Sequence, residues 1–231
     1  ESETSEYPEV RHRSSGVRYV KANDLLRSEA AQRELDQADE ALNALAETEE
    51  RAAHIKKILL AIRNVNRLIA REEDPRRLIQ AACDNLIQTL GYYNAWIALL
   101  DDAGTEVVST ASSGLGEAFE TMRGRLFGGD YPECVRRAMK NDGLVVIKEP
   151  VSECPDCPLA CEYTGRAGLA RSLVYDDHVF GVLSVSVPGT FAVDAEEQDL
   201  FNEVADDLSF ALHKIETERQ LRLHQDVLAA L

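Results

Sequence analysis

Three cysteines stand in one short run, Cys154-Pro155-Asp156-Cys157-Pro158-Leu159-Ala160-Cys161, and a fourth, Cys134, lies upstream. In a cytosolic protein the spacing C-x2-C-x3-C points to metal or redox chemistry, because reducing compartments keep structural disulfides rare. Thiolates this close together in a loop can converge on one ion, and Pro155 and Pro158 stiffen the backbone so that less entropy is lost on binding. Cys134, on an expected short helix ahead of a strand at Leu144, is the natural fourth ligand. Four thiolates suit a tetrahedral zinc ion or, with sulfide, an iron–sulfur cluster, and spacing does not choose between them. The same thiols also suit a thiol–disulfide switch, or can stay unligated. Cys83 differs: beside Ala82 on an amphipathic pattern, it reads as a small core residue.

Other residues carry weaker signals. Trp96 on an expected strand, with Phe180 on a facing hairpin, could wall a small-molecule pocket, although aromatic residues in strands more often belong to a core. Tyr163 and Arg166 follow the cysteine loop and could touch a pocket occupant, or stand in a solvated loop. Asp101-Asp102 and Asp176-Asp177 read as turn carboxylates, not as an acid/base pair, because each sits where hairpin geometry favours Asp. No catalytic residue is expected.

Composition narrows the setting. Of 231 residues, 41 are acidic and 25 basic, giving a formal charge of -16, a field that repels phosphate backbones and anionic lipid. Direct contact with nucleic acid or membrane is not expected. No apolar run approaches the ~18 residues of a membrane span, and the polar start Glu1-Ser2-Glu3-Thr4 does not resemble a signal peptide, so a cytoplasmic protein is expected. A start at Glu1 and an end within a helical pattern lead to the expectation of further domains beyond this stretch.

The elements that must hold the cysteines follow from periodicity. Residues 1–22 contain Pro8 and Gly16 without a sustained period and read as a linker or the remnant of an upstream module. Residues 23–72 lack Pro and Gly up to Arg71 and are rich in Ala, Leu, Glu, Arg and Gln, which predicts one long coiled-coil helix. Leu35, Ala38, Leu42 and Leu45 form one heptad seam, and Ile55, Ile58, Ile62, Val65 and Ile69 another. The two are out of frame, so the register slips near Glu49 to Ala53; such a slip suits a helix that switches packing, and equally a plain solvated spacer.

Asp74-Pro75 then opens an amphipathic helix that Gly91 ends, with Leu78, Ile79, Ala82, Leu86, Ile87 and Leu90 on its apolar face. A hairpin is expected from Asn94 to Leu100 and Glu106 to Ser113, then short helices over Leu115–Leu126 and Pro132–Lys140, then a strand over Leu144–Ile147. After the cysteine loop come strands Ser172–Tyr175 and Val179–Val187, and a helix capped by Asp194 and Glu197 that buries Leu200, Phe201, Val204, Leu208, Ala211, Leu212 and Ile215. The fold class is α+β.

This order resembles a GAF domain, and the resemblance rests on Ser172-Leu173-Val174-Tyr175, then Val179-Phe180-Gly181-Val182-Leu183-Ser184-Val185, then Phe191 and a helix with Glu196-Glu197 and Leu200-Phe201. It covers roughly Pro75 to Ile215 and sets the domain at 73–215, with 216–231 as an output helix. The resemblance implies an antiparallel sheet with helices on one face and a ligand pocket over the other, and a homodimer through the N- and C-terminal helices. It further implies a sensory module that relays a metal, redox or small-ligand event to a histidine kinase or cyclase domain in cis. The cysteine loop is an addition to the family pattern. Gly128-Gly129-Asp130 lacks the strands of a diguanylate cyclase around it and reads as a turn, and His213 lacks the phospho-acceptor surroundings of a kinase. Two other functions remain open: a thiol enzyme like the free methionine sulfoxide reductases, which share the fold, and a zinc-stabilised dimerisation spacer.

Overall fold

The computed structural model describes residues 32–229, apart from 47, 50, 51, 54, 55, 57, 58, 61, 62, 66, 69, 70, 141 and 142. The expected linker over 1–22 and the seam residues Ile55, Ile58, Ile62 and Ile69 lie outside the described residues. The chain divides into two compact units, Glu1–His54 and Ile55–Leu231. In the first, the described residues from 32 onward are helical and exposed, and the seam leucines Leu35, Leu42 and Leu45 are each more than half exposed.

The second unit holds the domain. Its described residues between 56 and 68 are helical (α1), and Val65 and Leu68 of this segment pack into the domain core. Helix α2, Pro75–Leu90, begins where the Asp74 side chain accepts from the Arg76 N–H at 2.9 Å and ends at left-handed Gly91, φ 74°, whose N–H donates to the Ile87 carbonyl. These are the cap and stop that Asp-Pro and Gly dictate.

Five strands follow: β1 Asn94–Leu100, β2 Val107–Ser113, β3 Val145–Ile147, β4 Arg166–Tyr175 and β5 His178–Pro188. They form one sheet in the order β2-β1-β5-β4-β3, and every neighbouring pair is antiparallel. Between β2 and β3 lie α3, Ala118–Phe127, and α4, Glu133–Lys140; between β3 and β4 lie the single turn α5, Pro150–Glu153, and a 3-10 turn, Ala160–Tyr163. The long helix α6 runs Ala195–Ala229, its start capped by Asp194, which accepts from the N–H groups of Glu196 at 2.8 Å and Glu197 at 3.2 Å. No described helix is long and apolar enough to cross a membrane.

Strand alternation divides the interior into two cores. Ala95, Ile97 and Leu99 of β1, with Leu173 of β4 and Leu183, Val185 and Val187 of β5, pack against α1, α2 and α6; Cys83 lies fully buried among them, as a small core residue should. Trp96, Ala98, Ala170 and Val182 point the other way, toward α3, α4 and the cysteine loop. A side-chain period of two requires this split, because the sheet is covered on both faces.

Two expectations need correction. Strand β4 starts at Arg166, not at Ser172: it pairs residue by residue with β5 from Arg166 opposite Pro188 onward. Ala167, Gly168 and Ala170 carry low strand propensity, and the long partner β5 supplies the order that propensity lacks. Phe180 does not face Trp96. The β4–β5 register shifts between Leu173, opposite Gly181, and Val174, opposite Val179, which leaves Phe180 as the extra residue of a bulge. A bulge reverses the alternation, so Phe180 packs against the core beneath α6, with its ring 4.4 Å from His178 and 6.3 Å from His213.

Candidate functional site

The cysteine loop is built on consecutive tight turns. The Cys154 N–H donates to the Pro150 carbonyl at 2.9 Å, Cys157 N–H to the Cys154 carbonyl at 3.0 Å, and Ala160 N–H to the Cys157 carbonyl at 3.0 Å. The chain thereby folds back against α4, whose first turn carries Cys134. At Ala160–Tyr163 the 3-10 turn buries Ala160 and Tyr163, three residues apart, and leaves Cys161 exposed between them. Three residues per turn impose that arrangement.

Three of the four loop-associated cysteines therefore meet and one does not. Cys134, Cys154 and Cys157 line a small interior cavity with Trp96, Met122, Tyr163 and Ser184, while Cys161 lies outside the lining. The cavity holds about 30 Å³, enough for ordered water. Among the described residues no three His, Cys, Asp or Glu side chains are gathered closely enough to hold a metal ion. Arg166 is not in the lining either: its guanidinium lies 3.8 Å above the Tyr93 ring, at the head of β4.

The sulfurs differ in chemistry. Cys134 gives a hydrogen bond to the Cys154 sulfur from its thiol, and a second from its backbone N–H. These bonds, aided by Arg137 one turn along α4, bring the Cys154 thiol down to about 7 against burial and the nearby Glu153 carboxylate. Cys134 moves the opposite way, pushed up first by the same hydrogen bond and then by burial. Burial also raises Cys157. The arrangement is a thiolate held by a thiol donor at the start of a helix.

A buried polar cluster lies beside the largely apolar cavity, and the sequence reading missed most of it. The Tyr163 hydroxyl donates to Asn94 Oδ1 at 3.1 Å, and the Trp96 indole N–H and the Ser184 hydroxyl reach the Tyr163 oxygen. In the sheet register Asn94 lies opposite Ser186, and Trp96 opposite Ser184. The signal was available: Ser184 and Ser186 alternate with Leu183, Val185 and Val187 in an otherwise apolar strand, which marks one face as polar. The Phe119 ring packs 6.2 Å from Trp96 and closes the wall from α3.

On the solvent side, Cys154 and Cys157 also line an open cleft of about 690 Å³ with Arg125, Arg136, Glu133 and Glu153 among its walls. Arg125 pairs with Asp130 at 2.6 Å and donates to the Asp156 carbonyl, which ties the Gly128-Gly129 turn to the cysteine loop. Gly128-Gly129-Asp130 is thus a turn closed by an ion pair. His213 is a half-buried helical residue, stacked 4.6 Å from Tyr175.

Comparison with known proteins bears on this geometry. The family model described as GAF domain matches residues 72–213. Among curated proteins none matches. Solved structures similar in fold include the GAF domain of a phosphoenolpyruvate-protein phosphotransferase from Coxiella burnetii, at 14% identity and TM-score 0.54, covering 71% of this chain and 98% of that one. The A. aeolicus nlh2 GAF domain in an inactive state is 13% identical with TM-score 0.51, covering 72% and 99%. The free methionine-R-sulfoxide reductase of Neisseria meningitidis in complex with its substrate is 20% identical with TM-score 0.50, covering 71% and 93%. At these identities the likeness is one of fold.

Proposed function

The chain belongs to the GAF-domain family, and from that premise we propose that it is a regulatory module whose sensing site is the cysteine-walled cavity and whose output is the helical face of the same sheet. One observation supports this above the rest. Strands β4 and β5 present Ala170 and Val182 to the cavity side and Leu173, Leu183 and Val185 to the core under α2 and α6, so one layer of backbone serves both. Close-packed interiors transmit displacement instead of absorbing it. An event at the thiols that favours one packing of α6 over another is then sufficient for a relay.

In this reading the N-terminal helix and α6 pair with those of a second copy, and the signal passes to a kinase or cyclase domain in cis. Exposed apolar side chains on each helix fit a homodimer: Leu35, Leu42 and Leu45 on the first, and Leu221, Leu223, Val227 and Leu228 on α6. The test is hydrogen exchange along α6, with the thiols reduced, oxidised or incubated with zinc. Altered protection over residues 200–215 in at least one state is expected, and identical protection in all three overturns the relay. Elemental analysis and a visible spectrum of anaerobically purified protein separate a thiol event from zinc or an iron–sulfur cluster.

A thiol enzyme of the methionine sulfoxide reductase type is favoured by one observation, the paired thiols beside Trp96. Against it, the interior cavity of about 30 Å³ does not admit an amino acid, which leaves only the open cleft as a place for that substrate. Turnover of free methionine sulfoxide with a thiol reductant, lost in Cys154→Ser, would replace the regulatory reading.

A further inference from the structure

Cys154 and Cys157 stand in the partition between two spaces, the interior cavity and the open cleft. Cys154 alone of the loop cysteines has a second cysteine hydrogen-bonded to its sulfur, and that neighbour belongs to another element, α4. Cys134 and Cys154 are both buried, and Cys157 is half-buried; Cys154 and Cys157 line the cleft, whereas Cys134 lines only the interior cavity. An oxidant arriving through the cleft therefore meets the loop sulfurs before Cys134.

We propose that Cys154 is a hydroperoxide-reactive thiol and Cys134 its resolving partner, so that the pair closes a disulfide between the cysteine loop and α4 while reducing one hydroperoxide. This rests on the reading of the cavity as the sensing site and names its substrate class. In the first step the Cys154 thiolate attacks one peroxide oxygen, the O–O bond breaks, and the departing oxygen takes a proton from solvent; the sulfur becomes a sulfenic acid. In the second, the Cys134 sulfur attacks the Cys154 sulfur, the S–OH bond breaks, and the hydroxide leaves as water with the Cys134 proton. Two thiols lose two electrons in total, and hydrogen peroxide becomes two waters.

Cys134 is the partner in preference to Cys157 because its thiol is hydrogen-bonded to the Cys154 sulfur across the cavity both line, and Cys157 makes no such bond to it.

The test uses the full chain, reduced and then treated with hydrogen peroxide, with disulfides mapped by mass spectrometry after alkylation. A Cys134–Cys154 peptide is expected, and it must persist in Cys157→Ser. Cys134→Ser should leave a sulfenic acid on Cys154 that dimedone captures, and Cys154→Ser should leave Cys134 reduced at the same dose; circular dichroism of each variant reports folding. A Cys154–Cys157 or Cys157–Cys161 bridge with Cys134 still alkylatable overturns the proposal, as does equal dimedone labelling of Cys154 and Cys161. Hydrogen exchange on the same samples keeps the two readings apart: a Cys134–Cys154 disulfide with α6 unchanged upholds the thiol chemistry and removes the relay.

Discussion

Cys134 and Cys154 share a thiol hydrogen bond but are not interchangeable, because the donor is pushed up and the acceptor down. Removing the donor has a definite sign. In Cys134→Ala the thiolate loses the S–H bond that is the largest cause of its lowering, so the Cys154 alkylation profile, with its midpoint at about 7 in the parent protein, should move up toward the ordinary thiol value of 9.0. The rate of iodoacetamide labelling against pH measures it, and an unmoved midpoint would show that Arg137 and the α4 N–H suffice. The sequence revealed the thiol cluster through its spacing but not its membership. Cys161 falls out because a 3-10 turn separates neighbours in sequence, and Asn94 and Ser184 enter because strand pairing unites residues far apart in the chain. Neither effect leaves a local trace. Phe180 was misplaced for a related reason: a bulge is written in the pairing of two strands, not in either strand alone.

Among the elements, helices were more legible than strands. Asp74-Pro75, Gly91 and Asp194 are caps, and caps are local chemistry, so α2 and the start of α6 fall where their residues place them. The beginning of β4 was not legible, since Ala167-Gly168-Leu169-Ala170 becomes a strand only through β5. Gly181, next to the bulge, is the tightest point of this pairing. It lies opposite Leu99, and a Cβ there would run into the Ala98 carbonyl. Gly181→Ala should therefore cost about 1–3 kcal/mol, the ordinary range for overpacking a filled interior. Urea unfolding reads this directly, and a midpoint equal to that of the parent would mean that β1 and β5 separate more easily than their packing implies. The hairpin turn beside the bulge is fixed by Asp176 and Asp177, both at positive φ, 46° and 63°, as a tight two-residue connection requires.

For the whole molecule, the net charge of -16 and the exposed leucines pull in opposite directions. Charge keeps copies apart unless a specific apolar seam brings them together. The double variant Leu223→Lys, Val227→Lys places charge on the exposed part of α6, beyond the last buried residue, Ile215, so the domain should still unfold cooperatively while, for the proposed homodimer, light scattering reports a shift to monomer. A dimer of undiminished stability would locate the contact elsewhere. The division of the sheet into two cores has a further consequence for how such a molecule can change over time. Positions that shape the cavity and positions that seat α6 fall mostly on opposite sides of the same strands, so substitution can retune one set while leaving the other in place. A lineage could acquire a thiol cluster on an existing scaffold of this fold, or lose one, without redesigning the helices on the other face.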